Sequence, residues 1–157
     1  MGIQMILWII LVLPWFSLFF VHRNTIKRFM PVTIFSCFLM SIIFQIAYHY
    51  EWWTIHISIV PWGYITDVSF AYGIFAMGTF WVFRLTSHRF LSFLLANIVM
   101  DFLLSFVVIK SFLLKVGVAE FKNIAPFHYF LITVFISLIL YAYHRWQEKI
   151  FVNHDES

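Results

Sequence analysis

FLSFLLANIVMDFLLSFVVI, residues 90–109, is the stretch whose reading decides the fold. It contains no Lys or Arg, and Asp101 is its one charged side chain. A helix rises about 1.5 Å per residue, so about 20 apolar residues cross the ~30 Å hydrocarbon layer of a bilayer. Four more stretches approach that length: Met5–Val21, Met30–His49, Tyr64–Phe83 and Pro126–Tyr143. A soluble domain of 157 residues cannot bury so many long apolar runs. The sequence therefore reads as all-α: an integral membrane bundle of five transmembrane helices, a single domain over 1–157.

Composition agrees with that reading. Hydrophobic residues make up 63% and charged residues 11%, against about 45–50% and about 25% in soluble domains. The 21 Phe residues suit both a lipid-facing surface and a filled interior. The net charge of +3 does not point to nucleic acid, because the basic residues flank hydrophobic segments. Cys37 is the sole cysteine, which excludes an internal disulfide and a multi-thiolate metal site. The N-terminal residues lack a signal-peptide pattern, and Ile6 stands where a myristoylation motif needs Ser or Thr.

Orientation follows from the basic residues. Arg23, Lys27 and Arg28 fall in the first expected connection, Arg84 and Arg89 in the third, Arg145 and Lys149 in the tail. Only Lys110, Lys115 and Lys122 lie on the other side. This places the N-terminus outside and the C-terminus in the cytoplasm. Tyr48, Tyr50, Trp52, Trp53, Trp62 and Tyr64 mark the outer interface, and Trp81, Tyr143 and Trp146 the inner one. Between the second and third spans, Ile55, Ile57 and Ile59 alternate with Thr54, His56 and Ser58. That pattern fits a short strand or an interfacial hairpin on the outer surface.

A lipid-facing helix can be apolar all round, so polar positions mark the interior. The first span has only Ser17 besides a bending Pro14, and is expected at the periphery. Polar residues recur every fourth position in the second span (Thr33, Cys37, Ser41, Gln45, His49). The fourth repeats this with Asn97, Asp101 and Ser105, and the fifth with Tyr129, Thr133, Ser137, Tyr141 and Arg145. Three such stripes imply a shared polar seam. The third span carries small residues on two faces, Thr66, Ser69, Gly73 and Ala76 on one and Asp67, Ala71 and Gly78 on the other, which suits a central helix. Helix packing alone accounts for much of both patterns.

Asp101 is the most informative residue. A mid-membrane aspartate costs about 2.5–3.5 kcal/mol on insertion scales, less if it faces a polar interior, binds a cation or holds a proton. Asn97, one turn away, and Tyr141 are its expected hydrogen-bond partners. Asp67, Gln45, His49 and Ser105 are expected toward the outer end, with His56 and His128, as a polar vestibule. The vestibule's residue types would suit a metal, but their spacing matches no metal motif. Arg84, His88, Arg89, His144 and Arg145 are expected near the inner surface, where positive-inside topology and anionic headgroups explain them. Phosphate-loop, dinucleotide, nucleophile-elbow, thiol-redox and c-type haem motifs are all absent, and no cofactor is implied.

Pro61-Trp-Gly-Tyr-Ile-Thr-Asp67, Tyr72-Gly73, Gly78-Thr-Phe-Trp81, Arg89-Phe90 and Asn97-x-x-x-Asp101 together resemble small uncharacterised multi-pass membrane proteins of low-GC Gram-positive bacteria. The resemblance covers about forty residues and implies a bacterial plasma-membrane location, with no activity attached. The expected function is a non-enzymatic membrane protein whose seam binds or passes a small cation, proton or polar solute. The rival is a structural or accessory subunit whose stripes serve helix packing and partner docking. An intramembrane enzyme acting on a lipid or isoprenoid through Asp67 and the outer histidines is a third class, unsupported by any nucleophile–base spacing. Expected partners are membrane lipids, with a homo-oligomer or a larger membrane complex, and no nucleic acid.

Overall fold

The computed structural model describes residues 2–154, and the side chains of all of these but 112–114 and 152–154. The two ends of the expected domain, 1 and 155–157, lie outside the described residues. Five helices and two short strands make up the fold. Helix α1 (Gly2–Phe16) runs into a 3-10 segment, Ser17–Phe20, and α2 spans Arg23–His49. After strand β1 (Trp53–Ile55), α3 comprises a π-helical Phe70–Ile74 and an α-helical Phe75–Thr86. Helix α4 (Phe90–Phe102) continues as a π-helix over Leu103–Leu113 and a last α-turn, Leu114–Val116. Strand β2 (Ala119–Phe121) leads to α5 (Pro126–His154).

Four of these helices are long and apolar enough to cross a membrane: Gly2–Phe20, Arg23–His49, Phe90–Ser111 and Pro126–Phe151. Helix α3 is the shorter, because its chain turns through 61–65 before Asp67 and enters the helix only at Val68. The expected span ends shift elsewhere too. Helix α2 starts at Arg23 rather than Met30, and α5 continues well past Tyr143. Arg23, Lys27, Arg28, Arg145 and Lys149, which hydropathy assigns to connections and the tail, thus stand on helical turns, whereas Arg89 and Lys122 lie between elements.

Polarity is inverted relative to a soluble bundle. Phe38 on α2, Leu95 on α4 and Phe135 on α5 are exposed, whereas Thr33, Ser36, Asn97, Asp101, Thr133 and Ser137 are buried. An apolar exterior around a partly polar interior is what lipid as solvent selects.

Helix α3 is central. It packs against α1, α2 and α4, and Phe75, Ala76, Met77, Thr79, Phe80 and Phe83 are all buried. Helix α1 buries only Leu7 and lies at the periphery. The contact between them is set by two residues. Pro14 has no N–H, so the carbonyl four residues back, that of Ile10, loses its helical partner. Gly73 fits against that carbonyl: a Cβ there would lie 2.4 Å from the Ile10 oxygen and 2.8 Å from Leu11 Cα. Two indoles tie the same interface, Trp15 Nε1 donating to the Tyr72 carbonyl (2.8 Å) and Trp81 Nε1 to Ser17 Oγ (2.9 Å). On another face Gly78 admits the Met100 thioether of α4. The two small-residue faces of the third span each accept a neighbour.

Strands β1 and β2 pair antiparallel, Trp53 opposite Phe121, Thr54 opposite Glu120 and Ile55 opposite Ala119. Only the start of the alternating segment 54–59 forms a strand, and its partner is the α4–α5 connection rather than a hairpin of its own. Trp52 and Val118 carbonyls extend the ladder through Lys122 N (2.9 Å) and His56 N (2.8 Å). This small sheet caps one end of the bundle.

Gly73→Ala is expected to lower stability by about 1–3 kcal/mol, the usual cost of overpacking, because backbone blocks the new methyl. Gly78→Ala should cost clearly less, since a thioether can turn aside. Thermal melts in detergent would separate the two; equal losses would show that the α1 approach is not the tight one.

Candidate functional site

The polar residues of α4 and α5 meet inside the bundle. Asp101 is fully buried, and its Oδ2 lies 3.4 Å from Ser137 Oγ of α5. The same Ser137 hydroxyl sits 3.0 Å from the Thr133 carbonyl. A hydroxyl has one proton, and the shorter contact claims it. Asp101 Oδ1, Ser105 Oγ and Tyr129 Oη are buried with no hydrogen-bond partner among the described residues. Such groups are uncommon and each calls for an explanation. Asn97 is buried on the same face as Asp101, but its amide donates to the Phe93 carbonyl (3.0 Å), not to the carboxylate. Tyr141 lies further toward the basic end, its ring against Phe90 and Phe93 at 5.1 and 4.7 Å.

Asp67 has a different task. Its Oδ1 accepts from the backbone N–H of Ser69 (3.0 Å) and Phe70 (3.2 Å), and its carbonyl accepts from Ala71 N (2.9 Å). That is the N-cap geometry of a helix beginning at Val68. The carboxylate is nevertheless buried and helps line a cavity of about 40 Å³ between the sheet and the helix ends, together with Phe44, Trp53, Phe70 and Tyr129. That volume exceeds the ~10–15 Å³ a water needs. Tyr129 lines the same cavity as Asp67 and stands one helical turn before Thr133 on α5.

The cap divides the expected vestibule. His49 lies on its far side, in an open groove of about 460 Å³ with Tyr48, Glu51, Tyr64 and Lys122, while Asp67 lies inside. Gln45 and His49 are both exposed. The cause is helical drift: at about 100° per residue, four residues overshoot a turn by about 40°. The stripe that starts buried at Thr33 has rotated away by Gln45. The inward face of α2 is instead Val32, Thr33, Ser36, Met40, Phe44 and Ala47. His56 approaches Glu120 at 3.5 Å on the sheet, and His128 is exposed. Among the described residues no three His, Cys, Asp or Glu side chains come together as metal ligands.

The structure thus joins Asp101 to Ser137 and Thr133, with Asn97 and Ser105 four residues either side of Asp101, and sets Tyr129 beside Asp67. The α5 members were legible as a stripe, but nothing in their spacing distinguished Ser137 and Tyr129 from their neighbours. At the opposite end, His144 is buried between Phe29 and Phe83, ring centroids 5.3 and 5.0 Å away. Arg84 lies over the Trp81 ring at 4.7 Å. Comparison with family models, curated proteins and solved structures finds no match to this chain.

Replacing Asp67 by Ala is expected to cost about 1 kcal/mol, as loss of an N-cap does, while Ser or Asn at that position keeps most of the stability. Melting temperatures of the three variants test the cap. If Asn and Ala prove equally damaging, the carboxylate charge matters beyond capping.

Proposed function

We propose that the chain is a five-span membrane protein whose interior carboxyl–hydroxyl column binds a proton or a small cation. The observation that carries this reading is Asp101: fully buried, one oxygen unpartnered, the other beside a hydroxyl whose proton is directed elsewhere. A proton on the carboxyl would supply the missing donor to Ser137. A hard cation would instead draw on oxygen ligands alone, which Ser105, Thr133, Ser137 and Tyr129 offer. The proton is the better fit, because one hydrogen on the carboxyl supplies the donor that the Asp101–Ser137 contact lacks. In this reading the basic end faces the cytoplasm and the capped end the outside, and the resemblance noted above supports a bacterial plasma membrane.

A second reading has its own support. Thr33, Ser41, Thr79, Thr86 and Ser137 all return their hydroxyls to the carbonyl four residues back, and Asp67 caps a helix. Much of the polar pattern is thereby consumed within single helices. A structural or accessory subunit would need no more than that.

Melting of purified wild type and Asp101→Asn, across about pH 5 to 9 and with a panel of monovalent and divalent cations, separates the two. Binding predicts that wild type responds to pH or to one cation and the variant to neither. A variant that melts lower while both proteins ignore pH and cations assigns Asp101 to structure. Orientation has an independent check: a fluorescent-protein fusion after Ser157 should fluoresce and a phosphatase fusion there stay inactive. The opposite pattern reverses the topology.

A further inference from the structure

Where α2 begins and α5 finishes, a groove of about 790 Å³ opens between the two helices. Lys27, Arg28, Arg145 and Lys149 line it, against one carboxylate, Glu148. Glu148 holds two of these cations in place. Its Oε1 accepts from Arg28 Nε at 2.8 Å and from a second nitrogen of the same guanidinium, and its Oε2 lies 3.6 Å from Arg145 Nη1. Gln147 Nε2 donates to the Arg28 carbonyl (3.1 Å), fixing α5 against α2 at this level. Among the described residues, no carboxylate lies within 4.0 Å of Lys27 or Lys149. Two anchored guanidinium groups and two unpaired lysines around one carboxylate, among the described residues, make a site for an anion with several acceptor oxygens.

The surroundings say where that anion comes from. Phe151 lines the groove and is 56% exposed, and Trp146 and Ile150 on the same turns of α5 are also exposed. Trp146 rests against Tyr143 at 5.9 Å, in the manner of an interfacial aromatic belt. A soluble anion has no use for an apolar rim, whereas a lipid brings acyl chains with its headgroup. We propose that this groove binds the phosphate headgroup of an anionic phospholipid. The inference rests on the membrane reading of the chain but not on the Asp101 column.

Native mass spectrometry of the protein in neutral detergent, titrated with short-chain phosphatidylglycerol, reads occupancy directly. Lys27→Ala combined with Lys149→Ala is expected to weaken binding about 30-fold, about fivefold for each lysine removed. Both lysines are exposed, so the lipid-free melting temperature should stay at the wild-type value. Lys110→Ala combined with Lys115→Ala makes the same charge change away from the groove and should leave affinity intact. Equal weakening in both double variants overturns the proposal, as does equal retention of phosphatidylcholine. Inorganic phosphate that binds as tightly as the lipid would replace a headgroup site by a soluble-phosphate site. A chain recovered without detergent from the soluble fraction fails the membrane reading and removes the proposal with it, a result visible before any lipid is added.

Discussion

Polar groups surrounded by apolar atoms must find hydrogen-bond partners within the protein, and most of this structure follows from that constraint. It makes the chain helical almost throughout and turns hydroxyls back onto their own helices, as in Thr79 to the Phe75 carbonyl. It also explains the exceptions to regular helix. Where Pro14 removes a donor, the freed Ile10 carbonyl faces the α1–α3 interface, packed closely against Gly73. Within the π-helical entry to α3, the Tyr72 carbonyl accepts from Trp15. Where α3 begins inside the protein, Asp67 supplies the acceptor that its first N–H groups need. The connections obey the same rule by pairing β1 with β2.

Buried groups without a partner among the described residues include the Ser69 and Ser87 hydroxyls, both His144 nitrogens and Gln147 Oε1, and one set of three on neighbouring helices. Asp101 Oδ1 and Ser105 Oγ on α4 and Tyr129 Oη on α5 belong to the same helix pair. Helix α4 departs from α-geometry directly after Asp101 and Phe102, continuing as a π-helix through Leu113. Such departures recur at functional sites. Here the changed turn runs through the segment that carries Ser105.

Much of the architecture was legible in the sequence, because it depends on patterns that composition and spacing carry. The peripheral α1, the central α3 with its two small-residue faces and the inward Asp101 all follow from which positions are polar or small. Helix ends were not legible. Hydropathy registers Arg23, Lys27 and Lys149 as loop composition, although a helix continues through charged residues once it reaches water. The β1–β2 pairing joins segments on either side of two helices, and residues 119–121 carry no strong strand signal of their own. Four-residue spacing was mistaken for a fixed face, which is why Gln45 and His49 separate from Asp67. A single spacing also cannot tell an N-cap carboxylate from a ligand; only the backbone N–H groups around Asp67 do that.

The two ends of the bundle bear on whether the column passes anything or only holds it. At one end the sheet and Trp53, packed edge-on against Phe44 (5.4 Å) and Tyr129 (5.7 Å), cover the cavity beside Asp67. At the other, His144 fills an aromatic box with Phe29 and Phe83. Asp101 between them is fully buried, and the exposed Glu120 on β2 lines the cavity beside Asp67. The ends differ in what opening would break. The box is embedded in the packing of α2, α3 and α5, whereas the cap rests on three residue pairs of a two-stranded ladder, a unit marginal by itself in water. On the binding reading proposed above, exchange with Asp101 would proceed most cheaply from the cap end, by parting β1 from β2 and swinging Trp53 off Tyr129. A column reached from one end only would hold a ligand rather than pass it.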